Sequence, residues 1–343
     1  MQPNKKQSSG TKPFFTALIH KFDSFTQQNI LVLGDVMIDA YSFGKVERIS
    51  PEAPVPVVHI TSIENRLGGA ANVALNLRAL GASVQLFSVV GSDAAADALF
   101  ELTKAQNIDT KGIIKITDRP TTQKQRIVSG SQQLLRIDHE VKTEISPYAS
   151  ELLLQKIEAA LPQAQMLIFE DYDKGVLTPQ LIQKAIALCK KHNVMCAADP
   201  KNNNFDKYVG VTLFKPNLKE LYEGLKLSPK DLSAETLTTI CEAFNQKLCA
   251  ENMLVTLSEK GIFYYQKNGE SGIVSAHKRN IADVSGAGDT VISVAAACLV
   301  AGMSLKTTAQ VANVAGGLVC EQMGVVPINK ALLLQEVLKT TEN

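Results

Sequence analysis

What most constrains the fold is an alternation that begins near residue 146. Short, continuous apolar runs at 166–170, 194–198, 211–214 and 252–256 are separated by segments with helical spacing at 146–160, 178–192, 217–225 and 233–250. A hairpin, 261–266 with 273–276, and two largely apolar helices, 287–302 and 307–322, follow. Runs without polar alternation are buried on both faces, and strands that alternate with helices build a mainly parallel sheet covered on both sides. Ligands of such sheets bind beyond the carboxyl ends of the strands. The residues that end each run are therefore the first place to look for chemistry.

The N-terminal half carries the same signal less regularly. Residues 29–35 and 84–90 read as buried strands, 70–80 as a helix stopped by Gly81, and 93–106 as a further helix. The segment 41–63 holds Pro51, Pro54 and Pro56, a density that argues for an excursion from the main sheet. Residues 108–116, 121–129 and 133–138 are short, β-branched and partly alternating. They are expected to join 41–66 in a small separate sheet, a lid on the core. Residues 1–28 read as an N-terminal extension, disordered over 1–12 and helical over 13–28, and 336–343 as a C-terminal tail. The fold class is thus α/β: a three-layer, Rossmann-like αβα core over 29–335 with a β lid.

Bulk properties exclude several functions. A net charge of +1 over 343 residues gives no global pull toward nucleic acid or an anionic membrane. No charge-free run is long enough to span a bilayer and no apolar signal core follows the polar start, so a cytoplasmic protein is expected. The six cysteines form no CxxC pair and read as reduced, structural residues rather than metal ligands.

The run ends carry the chemistry. The stretch from Asp283 to Thr290 places Gly286, Ala287 and Gly288 before Asp289 and a long apolar helix. Unpaired first-turn amides at a helix N-terminus attract anions, and small residues admit a ligand to the backbone. This suggests an anion hole with Asp289 as a base; an ordinary helix start with a first-turn acid explains the local sequence equally well. Gly68, Gly69 and Asn72 repeat the design at another helix start, where a small-residue packing seam is the alternative. Asp35 and Asp39 follow the first strand and suit sugar hydroxyls, or turn capping. Lys124 and Arg126, two apart on one strand face, suit a phosphate, as does Lys201 after its strand; a solvated face is the plainer reading. Asp171 and Lys174 end another run. Asn217, Leu218, Lys219 and Glu220 begin a helix, with a capping box as the structural reading and a nucleotide-side role as the functional one. Five such clusters on one sheet edge predict a single cleft. There is no GxxxxGK[ST] loop.

The paired motifs Gly68-Gly69-Ala70-Ala71-Asn72 and Asp283-Val284-Ser285-Gly286-Ala287-Gly288-Asp289-Thr290 resemble those of the PfkB/ribokinase family of sugar kinases. Within it, residues 34–39 and 48–57, with Asp171-Tyr172, Lys174-Gly175 and Asp199-Pro200-Lys201, look like the D-glycero-β-D-manno-heptose-7-phosphate kinases. The resemblance implies a ribokinase-like core, a lid that builds a homodimer, and ATP with Mg²⁺. It implies Asp289 as base and residues 286–288 as anion hole. Asn217 to Glu220, with Ser258, Gly261 and Asn313, fall on the nucleotide side, and Glu220 is tied to Mg²⁺. Asp35, Asp39, Gly68, Gly69, Asn72, Asp171 and Lys174 fall on the sugar side, and Lys124, Arg126 or Lys201 holds the sugar's phosphate. The resemblance also implies a stand-alone kinase, since no HxGH motif is present. Three positions depart from the pattern: Ser285 for a threonine, Glu170 for a serine, and Gly-Val-Val at 324–326. The expected reaction is phosphorylation of the anomeric hydroxyl of the heptose phosphate. Kinases of fructose 1-phosphate, ribose or a nucleoside are the alternatives within the family, and a silent sugar-binding protein is the alternative outside it.

Overall fold

The computed structural model describes residues 11–130, 132–228 and 233–341. Helix α1 (Thr11–Asp23) leads into β1 (Asn29–Gly34), a long hairpin of β2 (Val36–Ile49) and β3 (Pro56–Gly69), α2 (Ala70–Leu80), β4 (Ser83–Val90), α3 (Ala94–Ala105) and β5 (Asp109–Lys115). Strands β6 (Gln123–Ser129) and β7 (Gln132–His139) precede α4 (Pro147–Ala160), β8 (Met166–Glu170), α5 (Pro179–His192), β9 (Met195–Asp199) and β10 (Leu213–Phe214). Helices α6 (Leu218–Gly224) and α7 (Ala234–Leu248), strands β11 (Asn252–Thr256), β12 (Ile262–Gln266) and β13 (Ser271–Val274), and helices α8 (Ala287–Val300), α9 (Leu305–Cys320) and α10 (Lys330–Thr341) complete the order.

The main sheet runs β13-β12-β11-β10-β9-β8-β1-β4-β5, parallel from β11 to β5 and antiparallel at the β12–β13 edge. The strands alternate their burial between two cores, as a doubly covered sheet requires. Ile30 and Val32 of β1 face one cluster with α2, α8 and α9; Leu31 and Leu33 face the other with α4, α5 and α7. Winding goes from β1 to β4 and β5 on one side and from β8 to β11 on the other. The reversal falls between β1 and β8, where a crevice opens at the carboxyl ends. There Gly34, Glu170 and Asp199 lie side by side in register. A β-carbon on Gly34 would sit 2.0 Å from the Glu170 carbonyl oxygen, so only glycine allows this close approach.

Helix α8 is apolar all round because it is central: every residue from Asp289 to Cys298 is buried. Ala295, Ala296 and Ala297 share a core cluster with Ala70, Ala71 and Ala74 of α2, and these small side chains let the two helices approach closely. Packing thus joins the two glycine-bearing helix starts.

The lid is a four-stranded sheet, β3-β2-β6-β7. It differs from expectation in two ways. It begins at Val36, straight after β1, and it does not include 108–116. Strand β5 instead pairs parallel with β4 at the edge of the main sheet, and its Gly112 packs against the Phe87 ring, leaving no room for a side chain. The chain ends differ too. Thr11 and Lys12 already belong to α1, while residues 1–10 lie outside the described residues. Phe22 and Phe25 are fully buried, and the Gln28 amide donates to the Ala297 carbonyl at 2.9 Å, so this segment is part of the core. Residues 336–341 are the end of α10, held by the buried Val337 and by Glu336 against Arg279 at 3.1 Å. No helix among the described residues is long and apolar enough to cross a membrane.

Candidate active site

Asp289 lies in the first turn of α8, and Gly286 caps that helix with φ +77°. A β-carbon on Gly286 would come within 2.8 Å of the Asn72 amide nitrogen, so the turn is open only to glycine. Asn72 Nδ2 donates to Asp289 Oδ2 at 2.7 Å, and the Tyr172 hydroxyl donates to Oδ1 at 2.7 Å. Asn72 is itself oriented: Asn76 Nδ2 donates to its Oδ1 at 3.1 Å, and Thr290 Oγ1 donates to Asn76 Oδ1 at 3.2 Å. Burial pushes the Asp289 carboxyl up to about 6, against the two donors and Lys215, which pull it down. A group poised there is ionised at neutral pH yet basic enough to accept a proton.

Beside it, Glu170, Asp199 and Asp289 bring carboxylate oxygens within 4.8 Å of one another. Lys215, at the end of β10, pairs with Asp199 at 2.8 Å, both nearly buried. Burial alone would lower the Lys215 ammonium, but Asp199 and Glu220 hold it above its ordinary value. Burial, then Asp199 and Asp289, push Glu170 well up. Glu170 Oε2 and Asp199 Oδ1 are buried without a partner. Orphaned buried carboxylate oxygens are rare, and hard oxygen donors of this kind suit Mg²⁺.

On the β11–β12 side of α8 lies a cavity of about 1120 Å³. Its walls include Asn217, Leu218, Lys219, Ser258, Gly261 and Asn313, together with Ala287 and Gly288. Six predicted nucleotide-side residues thus meet in one space that the anion hole opens into. On the other side of Asp289 the lid root brings Asp39, Gly68, Gly69 and Asn72 together. A β-carbon on Gly68 would fall 2.3 Å from Asp39 Oδ2. Asp289 is thus hydrogen-bonded to Asn72 just after the lid root, and its helix neighbours Ala287 and Gly288 line the large cavity.

Residues 27–331 match the pfkB family of carbohydrate kinases. The chain belongs to that family. Curated relatives include the bifunctional protein HldE of Desulfatibacillum aliphaticivorans, 40% identical over 320 residues, and that of Methylobacillus flagellatus, 42% identical over 309. These alignments cover 93% and 90% of this chain but 65% and 63% of the relatives, so the chain spans somewhat under two thirds of their length. Among solved structures, phosphofructokinase-2 from Escherichia coli with substrates and products superposes with a TM-score of 0.77 at 15% identity, covering 92% of this chain and all of that one. Arabidopsis thaliana ribokinase complexed with ribose and ATP gives 0.69 at 18%, covering 91% and 99%. The fold is ribokinase-like.

Several predicted site residues of this family member have framework duties. Asp35 is buried and its carboxylate accepts backbone N–H groups from Tyr172 (2.9 Å), Lys174 (3.1 Å) and Val176 (3.1 Å), which staples the β8 loop. Burial pushes its carboxyl up to about 6. Asp171 accepts from Tyr208 (2.7 Å) and Asn204 (3.0 Å). Neither presents a free oxygen to a sugar, in contrast to the expectation: Asp35 is consumed by the loop after β8, and Asp171 by the Asp173 N–H of that loop at 2.9 Å on one oxygen and by Asn204 and Tyr208, from the segment after β9, on the other. Glu220 is spent as well. Its Oε2 closes the capping box with the Asn217 N–H at 2.8 Å, and its other oxygen takes the Lys201 ammonium. The acid group at Glu170 and Asp199 therefore fits a metal better than Glu220 does.

The cations sort in the same way. Arg126 is ion-paired with Asp39, Lys201 with Glu220, and Lys174 with Glu140 at 2.7 Å. Lys124 has no ion pair or hydrogen bond of its side chain among the described residues; its ammonium lies over the Tyr172 ring, 5.3 Å from the centroid. Burial and the neighbouring Lys174 lower it. Sequence reasoning missed Glu170, Tyr172, Asp199 and Lys215 as site residues. The available signal was that each stands at or just after the last apolar residue of a buried run.

Proposed function

We propose that this kinase transfers the γ-phosphoryl group of ATP to the anomeric hydroxyl of D-glycero-β-D-manno-heptose 7-phosphate, giving the 1,7-bisphosphate. The observation that carries phosphoryl transfer is Asp289 at the start of α8, next to the cavity lined by Gly288 and hydrogen-bonded to Asn72 just after the lid root. ATP in the cavity would place its terminal phosphate at the first-turn amides of α8, which take up charge developing there. The acceptor hydroxyl would attack in line and leave its proton on Asp289, with ADP departing. Lys215, beside the anion hole, adds positive charge near the transferred group. Mg²⁺ when bound neutralises phosphate oxygens; Asp199 and Glu170, each with an orphaned oxygen, would hold it.

The heptose phosphate is supported by the relatedness to HldE proteins over nine tenths of this chain, and by the unpaired Lys124 as a seat for a distal phosphate. A homodimer through the lid is supported by the apolar side chains that the lid exposes, among them Ile49, Val55, Ile63, Leu135 and Ile137. Lid closure would exclude water from the transfer. A panel of sugars and sugar phosphates, with coupled ADP detection, tests the substrate. Greatest kcat/KM on the heptose 7-phosphate is expected; a clear preference for fructose 1-phosphate, ribose or a nucleoside would replace it.

A further inference from the structure

The segment 321–329, between α9 and α10, contains the Gly-Val-Val stretch that departs from the family pattern. It has no part in the transfer described above, yet three separate elements hold it. The turn before α8 is the first. Gly324, at φ +72°, donates its N–H to Asp283 Oδ2 at 2.9 Å. The other Asp283 oxygen accepts the Ser285 N–H at 2.9 Å, one residue before Gly286. The Val325 side chain stands 3.3 Å from where a β-carbon on Gly286 would be. Helix α2 is the second: Ile328 donates its N–H to Asn76 Oδ1 at 3.0 Å. The segment therefore braces the turn that carries the anion hole.

The third is the lid, through Arg66 of β3. Its Nη1 donates to the Met323 carbonyl at 3.0 Å and to the Val325 carbonyl at 3.3 Å, one on each side of Gly324. A β-carbon on Gly324 would run into this nitrogen. Nε and Nη2 donate to the two Glu64 oxygens at 2.7 and 3.2 Å, a fork that fixes the guanidinium plane. With Glu64 half exposed, that pair stabilises little by itself; what it does is aim Nη1. The guanidinium lies over the Tyr41 ring, 4.8 Å from the centroid, and that of Arg126 lies over the same ring at 5.2 Å. Strands β3 and β6, which carry the two arginines, flank β2. The Tyr41 hydroxyl is buried without a partner, so contacts of the ring hold this tyrosine, not its oxygen. Arg126 continues the row to Asp39, which stands against Gly68 at the lid root. A row of contacts thus runs from the sugar side of the lid to the turn before α8.

We propose that Arg66 is a positioning residue for phosphoryl transfer: it ties the lid to segment 321–329 and, through Gly324 and Asp283, holds the anion-hole turn in shape, so that seating the lid and completing the phosphate cradle are one event. The inference rests on the reading of residues 286–288 as that cradle, and not on which sugar is phosphorylated. The aim of the cradle amides matters most when charge develops on the transferred group, so Arg66 acts on kcat more than on the binding of either substrate.

The test uses the full chain with Arg66→Met, which keeps an apolar stem and removes the donors. Hydrogen exchange of the ligand-free protein is followed by mass spectrometry in peptides spanning 282–290, 321–329 and, as a distant control, α5. Loss of hydrogen bonds from a charged group should speed exchange about tenfold in the first two and leave α5 unchanged. On the best substrate of the sugar panel, kcat should fall about tenfold, with KM for ATP and for the sugar within about threefold of wild type. Arg66→Lys, which has no planar fork, should fall between the two proteins. Unchanged exchange over 282–290, or a rise shared equally by α5, overturns the link between lid and turn. Faster exchange there with a normal kcat overturns the proposal through its reading of 286–288 as the cradle. If Arg66→Met shows no cooperative melting, Glu64→Gln, at a half-exposed side chain, decides by the same readouts, with changes of about threefold expected. Because exchange is read without substrate, an inactive heptose phosphate would count against the proposed reaction alone.

Discussion

Replacing Asp289 with asparagine separates what the residue does for catalysis from what it does to stability. Burial raises its carboxyl from 3.8 to about 6 in the folded protein. At 1.36 kcal/mol per unit, keeping the anion folded at neutral pH removes about 3 kcal/mol of stability. The sign follows from the order of the two values. At acid pH, below both, each state is protonated and nothing is lost. As pH rises from about 4 to about 6 the unfolded chain gives up its proton first, and the native state loses ground; beyond that the full penalty stands. Asparagine never ionises. Its amide can turn its oxygen to Asn72 Nδ2 and its NH₂ to the Tyr172 oxygen, both now 2.7 Å away, so the site keeps its shape. Asp289→Asn is therefore expected to be more stable than the wild type by about 3 kcal/mol near pH 8 and by only about 1 kcal/mol near pH 4.5. For a chain of this size the former is roughly 4 °C in Tm. Its kcat should fall by about 10²–10⁴ or more, with ATP binding retained. Urea titrations at the two pH values and coupled ADP release measure both. A stability gap that does not change with pH, or a variant less stable near pH 8, refutes the electrostatic account; a near-normal kcat refutes the base.

Other substitutions probe the rest of the site. Lys124→Met should raise KM for a phosphorylated acceptor by about 10–100-fold, as loss of a charge-assisted contact does, and leave KM for ATP unchanged; steady-state kinetics with both substrates varied checks this. Gly286→Ala must adopt φ +77° and press on Asn72, so its Tm should fall by a few degrees and its kcat by at least about tenfold, since the left-handed backbone alone costs roughly 1–2 kcal/mol. Ile63, 67% exposed on the lid, should become an interface residue in the dimer; Ile63→Asp is expected to sediment as a monomer with unchanged far-UV CD, and a dimer of unaltered strength would place the contact elsewhere.

Much of the architecture was legible along the chain. Continuous apolar runs marked the parallel strands, because a strand covered on both faces has no polar side to show. The run at 252–256 matches β11 residue for residue. The glycine motifs at 68–72 and 286–289 were visible because a positive φ and a close approach leave few residues to choose from. Edge strands were harder. Residues 108–116 resemble lid strands locally, and only pairing with β4 puts them in the main sheet. The lid's true start at Val36 was hidden because β2 begins as a buried run continuous with β1.

For the site, local sequence determined which side chains stand at strand ends and helix starts, since those positions follow from periodicity and turn chemistry. It could not determine which of them are spent. Asp35, Asp171 and Glu220 have the same chemistry as Asp289, yet three backbone amides, a Tyr–Asn pair and a capping box consume them. Likewise Lys124 is distinguished from Arg126 and Lys201 only by lacking a carboxylate partner. Whether a charge is free depends on what long-range packing sets within about 3 Å of it, and here Asn72, Tyr172 and Asp289 meet across more than 100 and 200 residues of chain. The chain's order supplies the groups; the sheet's reversal between β1 and β8 and the packing of α2 on α8 decide which of them act together.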